Sequence, residues 1–588
     1  MTASVHESTN EFRTFLGKDW EQWVAEYPEY ATYVGRPEHN DRWTDDSAAG
    51  VDRRVKHLEA SLAHLRSIRP EQLPGSERLN YTLYRELFES AQAGVKLGDD
   101  PFPFRYTPRS LWMPLNQLEG VHLEPVDILV MQPHGTVSDF DHILARLTRL
   151  PTLVEQNLAL LESGRKAGRT PPKICMRGVP DQVAKLVPED PKGSALLRSV
   201  REFPLSISEA DRERIVGEAE RVYRAQLRPV YRRLQDYLTN AYLPFCRESI
   251  AASDLPNGKA VYESLVRWHT TSSKTPTEIH EIGLAEIRRI KSEMETVMRS
   301  AGFSGSFRDF LEFLRTDARF YYRSSAELLD GYRIVTKKID PELARLFRRL
   351  PRLTYGILPV PDFKAPEAPA AYYQGGSPVA GRPGYFFVNT YDLKARPQWS
   401  MDALALHEAV PGHHLQLALA QELENVPEFR LHSSQTAFVE GWGLYAEGLG
   451  EELGCYRDPY SKFGKLSADA WRAARLVVDT GMHTLGWSRE QAIEYMRENT
   501  AESDQDVLAE VDRYIVWPGQ ALAYKMGQLK IQELRSRAES KLGTRFDVRA
   551  FHDSVLTNGA VPLGILESAI EAWIESHGSD KSSASTLA

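Results

Sequence analysis

His407-Glu408-Ala409-Val410-Pro411-Gly412-His413-His414 is the stretch from which the fold and the chemistry of this chain are best inferred. In the common pattern H-E-x-x-H, two histidines one helical turn apart bind Zn²⁺, and the glutamate between them acts as general base. Here Pro411 stands four residues after His407, and the next histidines follow at six and seven residues. A proline and a glycine therefore separate the expected ligands more widely than in the common pattern.

This wider spacing is incompatible with a regular helix. A separation of six residues rises about 9 Å and turns roughly 240°, so the side chains of His407 and His413 would point apart. Pro411 has no N–H to bond the carbonyl of His407, and Gly412 gives the backbone freedom directly after it. We therefore predict a π-type bulge that brings His407 and His413 together. His414, seven residues on and about 10.5 Å along the axis, is the alternative second ligand.

Composition and the N-terminal sequence disfavour several classes of function. The chain has 588 residues and a net charge of −9, which disfavours nucleic acid or an anionic membrane as the main partner. It has no apolar run long enough to span a bilayer and no apolar export segment at its N-terminus. The three cysteines are far apart and predict free thiols in a reducing compartment. We therefore expect a cytoplasmic enzyme that binds neither membranes nor nucleic acid.

Helical periodicity dominates the chain, so the sequence predicts a mainly α fold. Apolar residues recur at intervals of three and four over several long segments, which are Arg53–Arg66, Ser206–Arg247, Pro276–Gly302 and, around a turn at Asn558-Gly559, Phe546–Ile574. Thr275 is the expected N-cap before Pro276. We predict a single domain over residues 1–578 and a disordered tail over residues 579–588.

A small β element is predicted just before the histidine segment. The run Tyr385–Thr390 is β-prone and follows a stretch rich in proline, glycine and tyrosine. An extended strand at this place could pair with an extended peptide, which makes Phe387 and Asn389 candidate substrate contacts. A structural hairpin that covers the helical core is the alternative interpretation.

A third metal ligand is predicted downstream, because catalytic zinc sites usually have three protein ligands. Ser434–Glu452 is a candidate helix in which Glu440 lies among apolar neighbours, where a carboxylate is costly to bury unless it is paired or bound to a metal. Glu447, seven residues later on the same face, is an alternative ligand or a partner to a histidine. Both could also be surface charges of an amphipathic helix.

Glu408 directly follows the first histidine, as the base does in the common pattern. Its expected role is to take a proton from a metal-activated water and to pass it to the leaving amine. The developing oxyanion needs a hydrogen-bond donor, and three side chains are candidates, namely Tyr514, Tyr524 and His483.

Two arginines are candidate substrate ligands. Arg475 and Arg513 could each bind a substrate carboxylate in a bidentate manner. Structural ion pairs are the alternative role for both.

The segment from His407 to Gln416 resembles the signature of a bacterial family catalogued as domain of unknown function 885. Further matches extend over nearly the whole chain, and they are Tyr27–Thr32, Gln117–His122, Arg382–Thr390, Val439–Trp442, Tyr514–Gly527, Phe551-His552 and Val561–Leu563. The family is similar in kind to helical zinc peptidases of the thimet-oligopeptidase and angiotensin-converting-enzyme type. The resemblance implies two largely helical lobes around a deep cleft.

The same resemblance implies a ligand set, with zinc held by His407, by His413 or His414, and by Glu440, and with Glu408 as base. Many relatives have an exported or lipid-anchored N-terminus that this sequence lacks, so an envelope role is not expected. The leading hypothesis is a zinc-dependent hydrolase of amide bonds in short peptides. The alternatives are a metalloenzyme of specialised metabolism with a non-peptide substrate and an inactive helical binding protein.

Overall fold

A computed structural model describes residues 2–361, 365, 368–378 and 381–578. The chain forms two compact units by its internal contacts. The first unit comprises Met1–Ser264 with Pro427–His432, and the second unit comprises Leu265–Val426 with Ser433–Ala588. The predicted single domain over residues 1–578 stays a prediction, and the predicted tail over residues 579–588 lies outside the described residues.

Helices make up most of both units, which confirms the mainly α prediction. In chain order they are α1 (Thr2–Glu26), α2 (Pro28–Tyr33), α3 (Ala48–Ser67), α4 (Gly75–Val95), α5 (Glu124–Met131), α6 (Val137–Lys166), α7 (Lys173–Met176), α8 (Val179–Leu186), α9 (Glu209–Val222), α10 (Arg228–Tyr237), α11 (Gly258–Thr270), α12 (Pro276–Ser300), α13 (Phe307–Thr316), α14 (Ser325–Ile339), α15 (Met401–Glu408), α16 (His413–Gln421), α17 (Glu428–His432), α18 (Thr436–Leu449), α19 (Pro459–Thr484), α20 (Arg489–Asn499), α21 (Asp504–Val516), α22 (Ala523–Leu542), α23 (Val548–Leu556) and α24 (Leu563–Gly578).

Local sequence signals set several of these helix ends. Thr275 caps α12 as predicted: its hydroxyl accepts from the N–H of Glu278, and the Glu278 carboxylate accepts from the N–H of Thr275. The predicted C-terminal turn is also present, since Gly559 has φ +66° between α23 and α24. The long helix predicted over Ser206–Arg247 is α9 and α10 with two short π-helical segments.

The core of the first unit lies between α6, α9 and α10, where Phe140, Leu147, Val154 and Tyr231 are buried together. The core beside the sheet of the second unit joins α14 and α15 to the strands, with the ring of Tyr332 edge-on to Phe386 at 5.1 Å. Apolar contacts with α14 and the strands therefore hold α15, the first helix of the histidine segment, in place.

Three strands form one small sheet in the second unit, namely β1 (Tyr355–Pro359), β2 (Ala371–Gln374) and β3 (Gly384–Val388). The strand order is β1-β3-β2, with β3 parallel to β1 and antiparallel to β2. The predicted strand is thus confirmed, but it is central. Because both of its edges are already paired, β3 cannot accept a further strand, and among the described residues the unpaired edges belong to β1 and β2.

This position also changes the interpretation of Phe387 and Asn389. The ring of Phe387 stacks on Tyr372 with 5.0 Å between centroids. Asn389 is buried, and its Nδ2 donates to the carbonyls of Ala365, Ala368 and Pro369. Both side chains therefore support the segment around β2, and the geometry does not favour either as a direct substrate ligand.

Candidate metal centre

The histidine segment is broken, not bulged. α15 ends at Glu408 and α16 begins at His413, so the predicted π-bulged helix is wrong in form. One backbone hydrogen bond still spans five residues, from the N–H of His414 to the carbonyl of Ala409 at 3.1 Å. A Cβ at Gly412 would lie 1.9 Å from the carbonyl oxygen of His407, so only glycine lets the chain fold back this closely.

Helix α18 holds this break in place. The indole Nε1 of Trp442 donates to the carbonyl of Pro411 at 2.8 Å. A Cβ at Gly443 would lie 2.8 Å from Cε1 of His407, so the absence of a side chain there lets the imidazole lie directly on α18. The same helix carries Glu440, which brings the carboxylate opposite both histidines.

His407, His413 and Glu440 converge, and one ligand atom from each lies within 4.8 Å of the others. Glu440 Oε2 is 3.6 Å from Nε2 of His407 and 3.4 Å from Nε2 of His413. Atoms bound tetrahedrally at about 2.0–2.2 Å lie roughly 3.3–3.6 Å from one another. The donor set and its spacing therefore fit a zinc ion, and the fourth position would remain for water.

His414 is held away from this group, which bears on the alternative second ligand. Its Nδ1 contacts the hydroxyl of Tyr373 at 2.9 Å, and its ring packs on Tyr355 with 4.5 Å between centroids. Burial lowers the pKa of His414 to about 4, so this imidazole is neutral at physiological pH. The geometry thus favours His413 as the second nitrogen ligand.

Glu447, the alternative carboxylate ligand, lies behind His407. Its Oε1 is 2.8 Å from Nδ1 of His407 and 3.6 Å from Nη2 of Arg472. A carboxylate that accepts from Nδ1 fixes the imidazole tautomer and leaves Nε2 for a metal. Glu447 is therefore placed as a partner of His407 and not as a ligand.

The charges of the group are strongly coupled. Burial alone would lower the pKa of His407, but hydrogen bonds with Glu440 and Glu447 raise it to about 9. Burial alone would raise the pKa of Glu440, whereas its hydrogen bonds with His407 and His413 hold it well below its usual range. Two imidazoles and one ionised carboxylate, all buried, are a donor set that could hold a divalent cation in place of the shared protons.

Helix α22 brings Tyr524 to this group. The backbones of α18 and α22 touch, since a Cβ at Gly441 would lie 2.5 Å from Cα of Gly527. Tyr524 is one turn before Gly527, and Glu440 is next to Gly441. Burial raises the pKa of Tyr524, and the negative charge of Glu440 raises it further, which is consistent with a short distance between these two side chains. Of the three candidate oxyanion donors, Tyr524 is the one that the structure brings to the group.

The other two candidate donors are engaged elsewhere. The hydroxyl of Tyr514 donates to Glu510 at 2.8 Å and accepts from Nε of Arg475 at 2.8 Å, and the tyrosine is fully buried. Nε2 of His483 donates to the backbone carbonyl of Tyr514 at 2.9 Å, and this histidine is also fully buried. Neither side chain is placed to meet a substrate.

The two candidate substrate arginines form an internal network. Arg513 binds the Glu510 carboxylate through Nε and Nη2 and the side-chain oxygen of Gln520 through Nη1. Arg475 binds the same carboxylate through Nη2 at 2.8 Å. The structural alternative, an ion-pair role, therefore fits both arginines better than a bidentate contact with substrate.

Sequence reasoning missed the structural roles of four residues that shape the site, namely Trp442, Gly443, Arg472 and Tyr373. A signal was available for Gly443, because V-E-G-W-G places a small residue three positions after Glu440, on the same helix face. Arg472 and Tyr373 act through contacts between distant segments, and no local pattern indicates them.

We predict that Gly443→Ala weakens zinc binding. The added methyl group would overlap the His407 ring, so the imidazole must shift, and we expect a loss of affinity of about 10- to 100-fold. Gly448→Ala is the matched control on α18, since a Cβ there meets nothing within 4 Å. Competition with a chromogenic chelator measures both affinities. Equal affinity in the two variants would show that the close approach at Gly443 is unimportant.

Two solved structures share the fold. The first is described as "the putative lipoprotein from Colwellia psychrerythraea": it is 27% identical, covers 97% of this chain and 99% of its own, and has a TM-score of 0.91. The second is described as "a putative lipoprotein of unknown function from Shewanella oneidensis", with 17% identity, 95% and 99% coverage and a TM-score of 0.68. The second likeness shows the fold alone.

The first of these descriptions corrects the predicted location. A lipoprotein is held at a membrane by its attached lipid, and the 27% identical structure is described as a putative lipoprotein. The prediction of a cytoplasmic location from the N-terminal sequence is therefore wrong. Separately, no helix within the described part of the chain has an apolar stretch long enough to cross a bilayer.

A comparison with curated proteins gives no significant match. The family resemblance seen in the sequence is supported by a second comparison. A family model described as "Bacterial protein of unknown function (DUF885)" matches residues 28–570, which include the histidine segment, Glu440 and Tyr524. The chain belongs to this bacterial family of unknown function, DUF885.

Proposed function

We propose that the protein hydrolyses amide bonds in short peptides or peptide-like small molecules, with Zn²⁺ held by His407, His413 and Glu440. The observation that supports this most directly is the convergence of two buried imidazoles and one buried carboxylate, in which the carboxylate oxygen lies 3.6 and 3.4 Å from the two histidine nitrogens. The resemblance to helical zinc metallopeptidases that the sequence indicates is part of this proposal. Neither a nucleic acid nor a membrane surface is needed as a partner.

The bound ion would supply Lewis-acid chemistry, by making water acidic and by polarising the scissile carbonyl. Glu408 is buried next to His407, and its negative charge helps to raise the pKa of that imidazole. In this proposal Glu408 takes the proton from water and delivers it to the leaving nitrogen. Tyr524, beside Glu440, donates a hydrogen bond to the carbonyl oxygen as negative charge develops there.

The free edge of β2 supports an extended peptide as substrate. The N–H of Asn389 donates to the carbonyl of Ala370 at 2.9 Å. In an antiparallel pair, successive residues alternately direct their backbone N–H and C=O groups toward and away from the partner strand. The backbone groups of Tyr372 and Gln374 therefore point toward β3, and those of Ala371 and Tyr373 point outward. Strand β2 packs on α15, and Tyr373 contacts His414 next to the ligand His413. A peptide added to this edge would therefore lie beside the metal group.

Metal content and peptide cleavage test the proposal together. We expect about one zinc per chain in the purified protein, because three converging protein ligands should form a tight site. A panel of di- to decapeptides should release amines with the zinc-loaded protein, and a chelator should abolish the release until zinc is restored.

Each outcome has a defined meaning. Zinc below about 0.2 per chain with no effect of chelator would contradict the metal site. Stoichiometric zinc without cleavage of any peptide would contradict the peptide substrate and favour a non-peptide amide.

A further inference from the structure

The guanidinium of Arg475 lies against the ring of Tyr524, with 4.6 Å between Cζ and the ring centroid. Trp471 packs on the same guanidinium at 4.7 Å. Arg475 is only 4% exposed. A guanidinium attracts the face of an aromatic ring, and the attraction grows when water is excluded. Arg475 therefore restricts the orientation of the Tyr524 ring.

Two hydrogen bonds fix the guanidinium itself. Its Nε donates to the hydroxyl of Tyr514 and its Nη2 donates to Glu510, each at 2.8 Å. Glu510 also binds Arg513 at 2.8 Å, so one carboxylate lies between two arginines. The remaining nitrogen, Nη1 of Arg475, is buried without an acceptor among the described residues, and the aromatic rings surround the cation instead. Arg475 cannot turn toward a substrate without losing these contacts.

We propose that Arg475 is a positioning residue: it holds the ring of Tyr524 beside Glu440, so that the Tyr524 hydroxyl is aimed at the developing oxyanion. This inference rests on the proposed function. It replaces the interpretation of Arg475 as a ligand of a substrate carboxylate.

Single and double variants test this role kinetically. Arg475→Gln should lower kcat about ten-fold and leave KM within about two-fold, since the lost interaction acts in the transition state. Arg475→Lys keeps the positive charge but loses the planar guanidinium that stacks on the Tyr524 ring and donates through two nitrogens, so it should recover only a small part of the rate. In a Tyr524→Phe background, Arg475→Gln should cost less than about two-fold more, because the hydroxyl that it positions is gone.

Arg489→Gln is the matched control. Arg489 binds Asp512 on α21 through two nitrogens, so its loss loosens the helix that carries Glu510 and Tyr514 but leaves the Arg475 side chain in place. This control should keep kcat close to that of the wild type. A raised KM with unchanged kcat in Arg475→Gln would assign Arg475 to substrate binding and overturn the proposal. Equal losses with and without the Tyr524 hydroxyl would also overturn it.

A measurement without substrate separates this inference from the proposed function. In protein labelled with 3-fluorotyrosine, the ¹⁹F resonance that disappears in Tyr524→Phe belongs to Tyr524. That resonance should shift or broaden in Arg475→Gln and stay unchanged in Arg489→Gln. An unchanged resonance in Arg475→Gln would overturn the positioning role, whereas a wild-type protein that cleaves no peptide would contradict only the proposed hydrolysis.

Discussion

Replacing Glu408 by glutamine should lower kcat for peptide cleavage by about a thousand-fold or more, while the protein keeps its zinc. Glutamine has nearly the shape of glutamate but cannot take a proton from water, so the step that generates the nucleophile is lost. Glu408 is outside the ligand group of His407, His413 and Glu440. Zinc content by elemental analysis and initial rates on one cleaved peptide measure the two properties separately.

The control for this variant is Glu424→Gln, which changes an exposed glutamate just after α16. It should retain full activity and full zinc content. Loss of zinc from Glu408→Gln would show that Glu408 is a ligand, and residual activity near the wild-type level would remove it from the role of base.

Replacing His413 by alanine should remove the zinc, whereas replacing His414 by alanine should leave most of it. His413 places Nε2 at 3.4 Å from Glu440 Oε2, and its loss leaves two ligands. His414 contacts Tyr373 and Tyr355 instead. Zinc retained after dialysis against a weak chelator should therefore fall to near zero in the first variant only.

Stability must be measured alongside, because the two variants affect folding differently. His414→Ala removes the hydrogen bond between the imidazole and the Tyr373 hydroxyl, which costs about 0.5–1.5 kcal/mol of unfolding free energy. Thermal unfolding of the zinc-free proteins gives this effect without the contribution of the metal. Zinc loss in the His414 variant with retention in the His413 variant would move the ligand by one residue.

Local signals made part of the fold predictable. The cap of α12 depends on Thr275, Pro276 and Glu278, which are adjacent in sequence, so the pattern alone specifies it. The disturbance at Pro411-Gly412 was equally visible. The form of this disturbance could not be predicted from the local sequence. The break between α15 and α16 depends on the Trp442 hydrogen bond and on the space left by Gly443, both about 30 residues away.

The candidate site shows the same division. Residue chemistry indicated His407, His413, Glu440 and Tyr524 as candidates, and the fold brings all of them together. The arginine network was open to prediction in part, since Glu510 precedes Arg513 by three residues and Tyr514 by four on one helix face. The central position of β3 was hidden, because strand order depends on long-range pairing with β1 and β2.

The contact between Gly441 and Gly527 has a consequence for how this protein can be altered. At this crossing the main chains of the two helices are in direct contact. An added side chain would meet backbone atoms, and repacking of neighbouring side chains could not make room for it. The separation of Glu440 and Tyr524 is therefore a property of the backbone. Enlarging either glycine would translate one helix against the other, so changes of specificity should be sought along β2 and never at this helix crossing.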